Sequence, residues 1–372
     1  MRYYLIAGEA SGDLHGSNLI RGLRAEDPEA QFRFFGGDLM SDAAGGTAPL
    51  VHYRNGAVMG FSDVLAKAGS LLGNLRACKK DIVSWKPDVV IPIDYPGFNL
   101  KIARFCHKRG LKVFYYIAPK TWASRESRNS AIGRWVDRLF IIFPFEIDYF
   151  REKGIDAVYA GNPLIDAVDS HVYVRPCEER YIAVLAGSRK GEIKRMMPVC
   201  MEVADRLGMK VLIAGAPSVS AAEYEGFIGG RKNVELLFGR TYDILKYADA
   251  AIINSGTASL EAALTGTPQV VCWSTGALTA FVGYKILRVF DHIKYISLGN
   301  LCLDKLAFKE LVQENFTAEK VLEETRRLLD DAAYREAMLA DYAEIRRRLG
   351  GDGASRAVAR AMVDSLSLKE SI

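Results

Sequence analysis

Asp249-Ala250-Ala251-Ile252-Ile253-Asn254-Ser255-Gly256-Thr257-Ala258-Ser259-Leu260-Glu261-Ala262-Ala263-Leu264-Thr265-Gly266-Thr267-Pro268-Gln269-Val270-Val271-Cys272-Trp273 is the stretch on which the fold turns. It reads as an apolar strand (250–253), a turn of small polar residues (254–257), a short helix (258–264) and a second strand (269–273). Ala, Ser, Leu and Glu suit the helix, and Gly266 with Pro268 ends it. Where a strand's carboxyl end meets a helix amino end, free N–H groups and the positive dipole end favour an anion such as a phosphate. Glu261 falls four residues after Thr257, on the same helix face and one turn deeper. A carboxylate at that depth suits the hydroxyls of a ribose, so the stretch can hold a nucleotide diphosphate. It can equally be a β–α–β unit whose Ser and Thr only cap a helix.

At 372 residues the chain is long for one core, and two domains are expected. A net charge of +4 is too small to point to nucleic acid, although the basic excess would help at an anionic membrane surface or with phosphorylated substrates. Six cysteines without a C-x-x-C pair suggest buried free thiols in a reducing compartment. The chain opens on strand-like residues 2–7 with no signal peptide, and no apolar run reaches the roughly 18 residues that span a bilayer. The expectation is a cytosolic protein, or one resting on a membrane.

From the amino end, strand 3–7 leads into Gly8-Glu9-Ala10-Ser11-Gly12-Asp13-Leu14-His15-Gly16 and a helix to about Arg24. This loop has neither G-x-G-x-x-G nor G-K-[ST]; it offers the carboxylates Glu9 and Asp13, a hydroxyl and the imidazole of His15. Residues of this kind are also frequent helix caps. After a short strand (32–35), a helix from Phe61 to about Trp85 repeats Phe61, Val64, Leu65, Ala68, Leu71, Leu72 and Leu75 at helical spacing, flanked by Lys67, Arg76, Lys79 and Lys80. That face fits either a sheet or a lipid surface. Strand 89–93 is continuously apolar and delivers Asp94-Tyr95-Pro96-Gly97-Phe98-Asn99 at its carboxyl end, where open α/β sheets place ligands. Strand 112–117 similarly delivers Ala118-Pro119-Lys120-Thr121-Trp122, with Arg125, Arg128 and Arg134 just beyond. Strands 139–143 and 157–160 precede Gly161-Asn162-Pro163.

Residues 171–179 read as a linker, after which strand 181–185, loop 186–192 and helix 193–207 restart the alternation. Strands 210–214 and 234–238 then precede the opening stretch. Residues 316–349 are charged and helical, Gly350 and Gly351 permit a sharp turn, and 353–366 reads as one more helix, turned back toward the first domain. The expected fold is therefore α/β, with two Rossmann-like domains of mainly parallel strands facing a cleft: residues 1–168, residues 176–349, and a final helix in 353–372.

In this order, Gly8-Glu9-Ala10-Ser11-Gly12-Asp13, Val58-Met59-Gly60-Phe61, Asp94 to Asn99, Gly161-Asn162-Pro163-Leu164, Gly187-Ser188-Arg189, Glu192-Ile193 and Ser255-Gly256-Thr257-Ala258 with Leu260-Glu261 resemble the lipid-A-disaccharide synthase family over nearly the whole chain. Those enzymes are glycosyltransferases of GT-B architecture. The resemblance implies transfer of an acylated glucosamine from UDP-2,3-diacylglucosamine to 2,3-diacylglucosamine 1-phosphate (lipid X), with no cofactor or obligatory metal, at the cytoplasmic face of the inner membrane. It leaves homo-oligomerisation open. The family's Asp-x-Pro-Asp-Phe-Asn has Gly97 for its second carboxylate here, and its Ser-Pro-x-x-Trp-Ala-Trp runs from Ala118 to Ser124.

On this reading Ser188, Arg189, Glu192, Ser255, Gly256, Thr257, Ser259 and Glu261 hold UDP, with Arg189 and the helix amino end steadying the leaving diphosphate. Glu9, Asp13, His15 and Asp94 are the base candidates: Asp13 is the expected base, Asp94 positions, and His15 is the reserve. Ser11, Asn99, Trp122 and Asn162 belong to the acceptor loops. Phe61, Leu65 and Leu72, with Phe281 and Lys285 of residues 278–289, are the expected membrane contact. A hydrolysing UDP-sugar 2-epimerase and a non-catalytic nucleotide-sugar binding protein are the alternatives.

Overall fold

The computed structural model describes residues 1–56, 63–123, 125–275, 294–351 and 353–367, with side chains of 55–56 and 63–70 left aside. Phe61, Phe281 and Lys285 thus lie outside the described residues, as does the side chain of Leu65. The chain divides into two compact units, Met1–Asp166 together with the segment from Leu349 onward, and Ala167–Arg348.

The first unit is built on a parallel sheet of β1 (Arg2–Ala7), β2 (Gln31–Gly36), β3 (Val51–His52), β4 (Val89–Ile93), β5 (Lys112–Tyr116), β6 (Arg138–Ile141) and β7 (Ala157–Tyr159). Their spatial order is β3-β2-β1-β4-β5-β6-β7. Strands covered on both faces read as unbroken apolar runs, and every residue of Val89–Ile93 is buried. Alternate residues serve opposite cores: Tyr3, Leu5 and Ala7 join one cluster, Tyr4 and Ile6 the other. The last helix, Ala354–Ser367, packs in the first cluster through Val358, Ala359 and Met362. It lies close to the helix Ala10–Glu26 because Gly22 has no side chain; a Cβ there would stand 2.9 Å from the Ser355 carbonyl and 3.0 Å from Ala359 Cβ. Asp166 accepts from the amides of Gly353, Ala354 and Ser355 and so caps this helix.

The second unit carries β8 (Tyr181–Leu185), β9 (Lys210–Gly215), β10 (Val234–Phe238), β11 (Ala250–Asn254), β12 (Gln269–Trp273) and β13 (Glu310–Val312), all parallel in the order β10-β9-β8-β11-β12-β13. The opening stretch of the sequence analysis is β11, the helix Thr257–Thr265 and β12. In both sheets the strand order reverses once, between β1 and β4 and between β8 and β11. Loops at the carboxyl ends of such strand pairs diverge and leave a crevice for ligands.

Two segments depart from expectation. Residues 316–349 form two helices, Ala318–Asp330 and Ala332–Leu349, because the Asp331 carboxylate accepts from the Tyr334 amide and starts the second one. Residues 171–179 are irregular but anchored within their unit. Asp243 accepts from the Val174 amide and bonds His171 Nε2, and Arg240 donates to the Val174 carbonyl.

Candidate active site

In the second unit the reversal point brings together the loops after β8 and β11, since Leu185 pairs with Ile253. Gly187 turns the first loop at φ +113°, and a Cβ there would stand 2.6 Å from Glu192 Oε2 and 3.0 Å from Asn254 Nδ2, so only glycine fits. Glu192 Oε2 accepts from the amides of Ser188 (2.9 Å) and Arg189 (3.3 Å), while its Oε1 accepts from Arg189 Nη1 at 2.9 Å. This capping box fixes the start of the helix Lys190–Leu207 and leaves the Arg189 side chain 78% exposed. An exposed ion pair of this kind is weak, roughly 0–1 kcal/mol, so the guanidinium is available to a stronger anion.

On the neighbouring loop, Gly256 and Thr257 are exposed at the start of the helix Thr257–Thr265, ahead of its first internal hydrogen bonds. Ser255 Oγ donates to the Ile296 carbonyl, which ties the turn down. Glu261 is half-buried one turn along; burial pushes its carboxyl up to about 7, against a hydrogen bond from the Tyr242 hydroxyl. Tyr242 was not singled out in the sequence, where nothing marks it from any other helix tyrosine.

In the first unit Ala7 pairs with Ile93, so the Gly8–Glu9 loop lies beside Asp94. Asp94 and Tyr95 both adopt left-handed backbone, φ +43° and +47°. Such residues cost about 1–3 kcal/mol each and mark sites where the surroundings impose a geometry. Here Asn99 Nδ2 (2.7 Å) and the Tyr115 hydroxyl (2.6 Å) both donate to the Asp94 carbonyl. The Asp94 residue is exposed, yet enough protein surrounds the carboxyl to raise its pKa above the usual range; Lys120 opposes that shift and Glu9 adds to it. Lys120, whose own pKa burial lowers against the pull of Asp94 and Glu146, also escaped the sequence reading. Trp122 Nε1 donates to Glu146 at 3.1 Å, inside a buried group where desolvation lifts the Glu146 carboxyl to about 7.

Several expected site residues turn inward instead. Asp13 is only 2% exposed and accepts from the amides of Gly37 (2.8 Å), Met40 (3.1 Å) and Leu39 (3.2 Å), which begin the helix Asp38–Ala43. Three backbone amides hold the buried carboxylate, which suits a brace better than a base. The His15 Nδ1 is buried without a hydrogen-bond partner among the described residues, and burial pushes the imidazole down to about 4, which suits a base poorly. Asn99 donates to the Ile93 and Asp94 carbonyls and Asn162 to the Ile142 carbonyl, so both brace loops rather than face an acceptor. Ser259 is fully buried and donates to the Gly256 carbonyl, and Glu192 is spent on its capping box. Ser11 is exposed in the first turn of Ala10–Glu26.

Two parallel α/β units, each with polar loops at its own strand-order reversal, define the GT-B class of nucleotide-sugar enzymes. Solved structures that share this fold include the UDP-GlcNAc 2-epimerase from Neisseria meningitidis bound to UDP-GlcNAc (13% identical, TM-score 0.67, covering 98% of this chain and 99% of that one). The glycotransferase of kitacinnamycin is another (16% identical, TM-score 0.66, 98% of each chain). At those identities the likeness shows the fold alone. The lipid-A-disaccharide synthetase family matches residues 3–360. The lipid-A-disaccharide synthase of Myxococcus xanthus is 37% identical over 379 residues, spanning 98% of this chain and 97% of the relative. The chain belongs to the lipid-A-disaccharide synthetase family and is a glycosyltransferase. The epimerase alternative shares the architecture but not the family, and is not favoured.

Proposed function

We propose that the protein joins UDP-2,3-diacylglucosamine to 2,3-diacylglucosamine 1-phosphate, forming the β-1′,6-linked lipid A disaccharide 1-phosphate and releasing UDP. What supports this, in a chain of this family, is that one unit presents an exposed arginine and free helix amides near a deeper carboxylate, and that the other presents a strand-end carboxylate of raised pKa. Glu261 receives the ribose hydroxyls, and the amides of Gly256 and Thr257 with Arg189 take the diphosphate as charge develops on it. Asp94 takes the proton of the attacking 6-hydroxyl, with Glu9 beside it. Incubation with both lipid-linked substrates, followed by product analysis, tests the reading. Consumption of a water-soluble UDP-sugar without lipid X would support the epimerase instead.

Arg189→Lys keeps the charge but loses the bidentate fork. Because its pair with Glu192 is exposed, stability should barely change while turnover falls about tenfold, the effect of roughly 1.4 kcal/mol at the transition state. Wild-type turnover would reject the diphosphate role.

The protein rests on the cytoplasmic face of the inner membrane in this reading. No helix among the described residues is long and apolar enough to cross a membrane. Leu72, on the helix Asp63–Trp85, is 51% exposed, and Lys79 and Arg109 lie over the Phe105 ring at 5.3 and 4.8 Å. Cations on an aromatic ring, with Lys79 two turns from the exposed Leu72 along the same helix, suit anionic headgroups above acyl chains. Leu72→Ser should weaken sedimentation with phosphatidylglycerol vesicles up to about tenfold, the effect expected of one partly buried leucine. Unchanged sedimentation would place the contact elsewhere.

A further inference from the structure

Among the described residues, the core of the first unit leaves an opening at the carboxyl edge of its sheet. On the side packed by the helix Asp63–Trp85 stands a cavity of about 280 Å³. Its depth is apolar: Ile6 and Phe98 are buried, Phe35 nearly so, and Leu71 half-buried. Of its polar lining, Glu9 is exposed, which puts that carboxylate at the mouth, while Asn74 is half-buried like Leu71.

The wall on the Asp94 side is constructed rather than collapsed. The Tyr95 ring lies directly on the backbone of Gly8, where a Cβ would come within 2.5 Å of it. The left-handed backbone at Tyr95 and its stack on Phe98, 5.7 Å between centroids, hold the ring there. The helix that supplies Leu71 to the interior exposes Leu72 beside it, because successive helical residues point about 100° apart. An apolar chamber with a polar mouth, next to an exposed leucine and a strand-end carboxylate, matches a molecule with an alkyl tail and a sugar head.

We propose that this cavity receives the end of one acyl chain of an acylated glucosamine substrate, with the sugar left at the mouth beside Glu9 and the Asp94 loop. The inference rests on the proposed transfer, which supplies the acylated sugar. It adds that acyl length is read by the protein itself and not only by partition into lipid.

The test is a series of acceptors shortened one methylene at a time, assayed in mixed micelles of fixed composition. Each methylene lost from a dry pocket should lower kcat/KM about fourfold, the factor for one buried CH₂. Asn74→Phe places an aromatic ring in the cavity from a half-buried helix position. It should flatten the length dependence, with its helical spectrum unchanged. A folded Asn74→Phe protein with the wild-type dependence would overturn the proposal. A second measurement on the wild-type protein covers a variant that misfolds: decanoyl glucosamine 1-phosphate with a terminal diazirine is photolysed in place. Labelled peptides bearing Ile6, Phe35 or Leu71 support the cavity, and label confined to other peptides overturns it. Photolabelling needs no turnover, so an enzyme that fails to make the disaccharide would defeat the proposed function while this result still decides the cavity.

Discussion

Asp94→Asn is expected to lose about 10²–10⁴ in single-turnover rate at saturating donor while being at least as stable as the wild type. The Asp94 carboxyl is raised above the ordinary range chiefly by burial. Its contribution to stability is therefore present in acid and lost as pH rises through the folded value. Above that value the ionised side chain is a burden on the fold, and an amide relieves it. Catalysis runs the other way: the ionised form is the base, so the rate should climb with pH through that same raised value and the variant should lack this limb. Asp13→Asn provides the contrast. Three backbone amides lose a charged acceptor, which should cost about 1–3 kcal/mol of stability, yet leave single turnover near normal. Collapse of turnover in a folded Asp13→Asn protein, with Asp94→Asn active, would return the role to Asp13.

Gly97 sharpens the point. A Cβ built there meets nothing within 4 Å, and the residue lies in the first turn of the helix Pro96–His107. Gly97→Asp should therefore be accepted and slightly stabilised by the helix dipole, by about 0.3–1 kcal/mol. In the Asp94→Asn background it would show whether a carboxylate three residues further on can also reach the acceptor.

The stretch from Asp249 to Trp273 could be read because fully buried parallel strands are apolar without alternation and because Gly266 and Pro268 break the pattern where the helix ends. The reversal of strand order was not legible, since it depends on which strands pair, but it is what gives loops 186–189 and 254–257 their shared position. Asp13 shows where reading residue types fails. A carboxylate on a glycine-bearing loop looks the same whether it faces a substrate or a backbone, and its partners lie 24–27 residues away, across β2. Asn99, Asn162 and Ser259 misled in the same way, as polar groups on functional-looking loops that turn to nearby carbonyls. The left-handed backbone at Asp94 and Tyr95 has no sequence signal, because neither residue is glycine. Lys120 stood in plain view in the loop after β5, but only packing places it by Asp94.

Glu261→Gln should weaken UDP binding tenfold to about a hundredfold, the loss of a charge-assisted hydrogen-bond pair at roughly 1.5–3 kcal/mol. The pH dependence makes this assignment specific. Burial lifts the carboxyl from its ordinary value to about 7, so the fold favours the neutral acid, and that stability is lost as pH rises through about 7. Ribose hydroxyls donate best to the ionised form, so UDP affinity should rise with pH across the same window and level off above it. The phosphate of UDP titrates nearby, but equally with the wild type and with Glu261→Gln, so the ratio of their affinities isolates the carboxylate. Calorimetry giving parallel pH profiles, or equal affinities, would leave Glu261 as a packing residue of its helix. Tyr242→Phe adds an independent handle. Its hydroxyl donates to Glu261 and holds the pKa down, so removing it should move the midpoint of the affinity rise to higher pH with the ribose contact intact. A midpoint that stays in place would mean that burial alone sets the ionisation of Glu261.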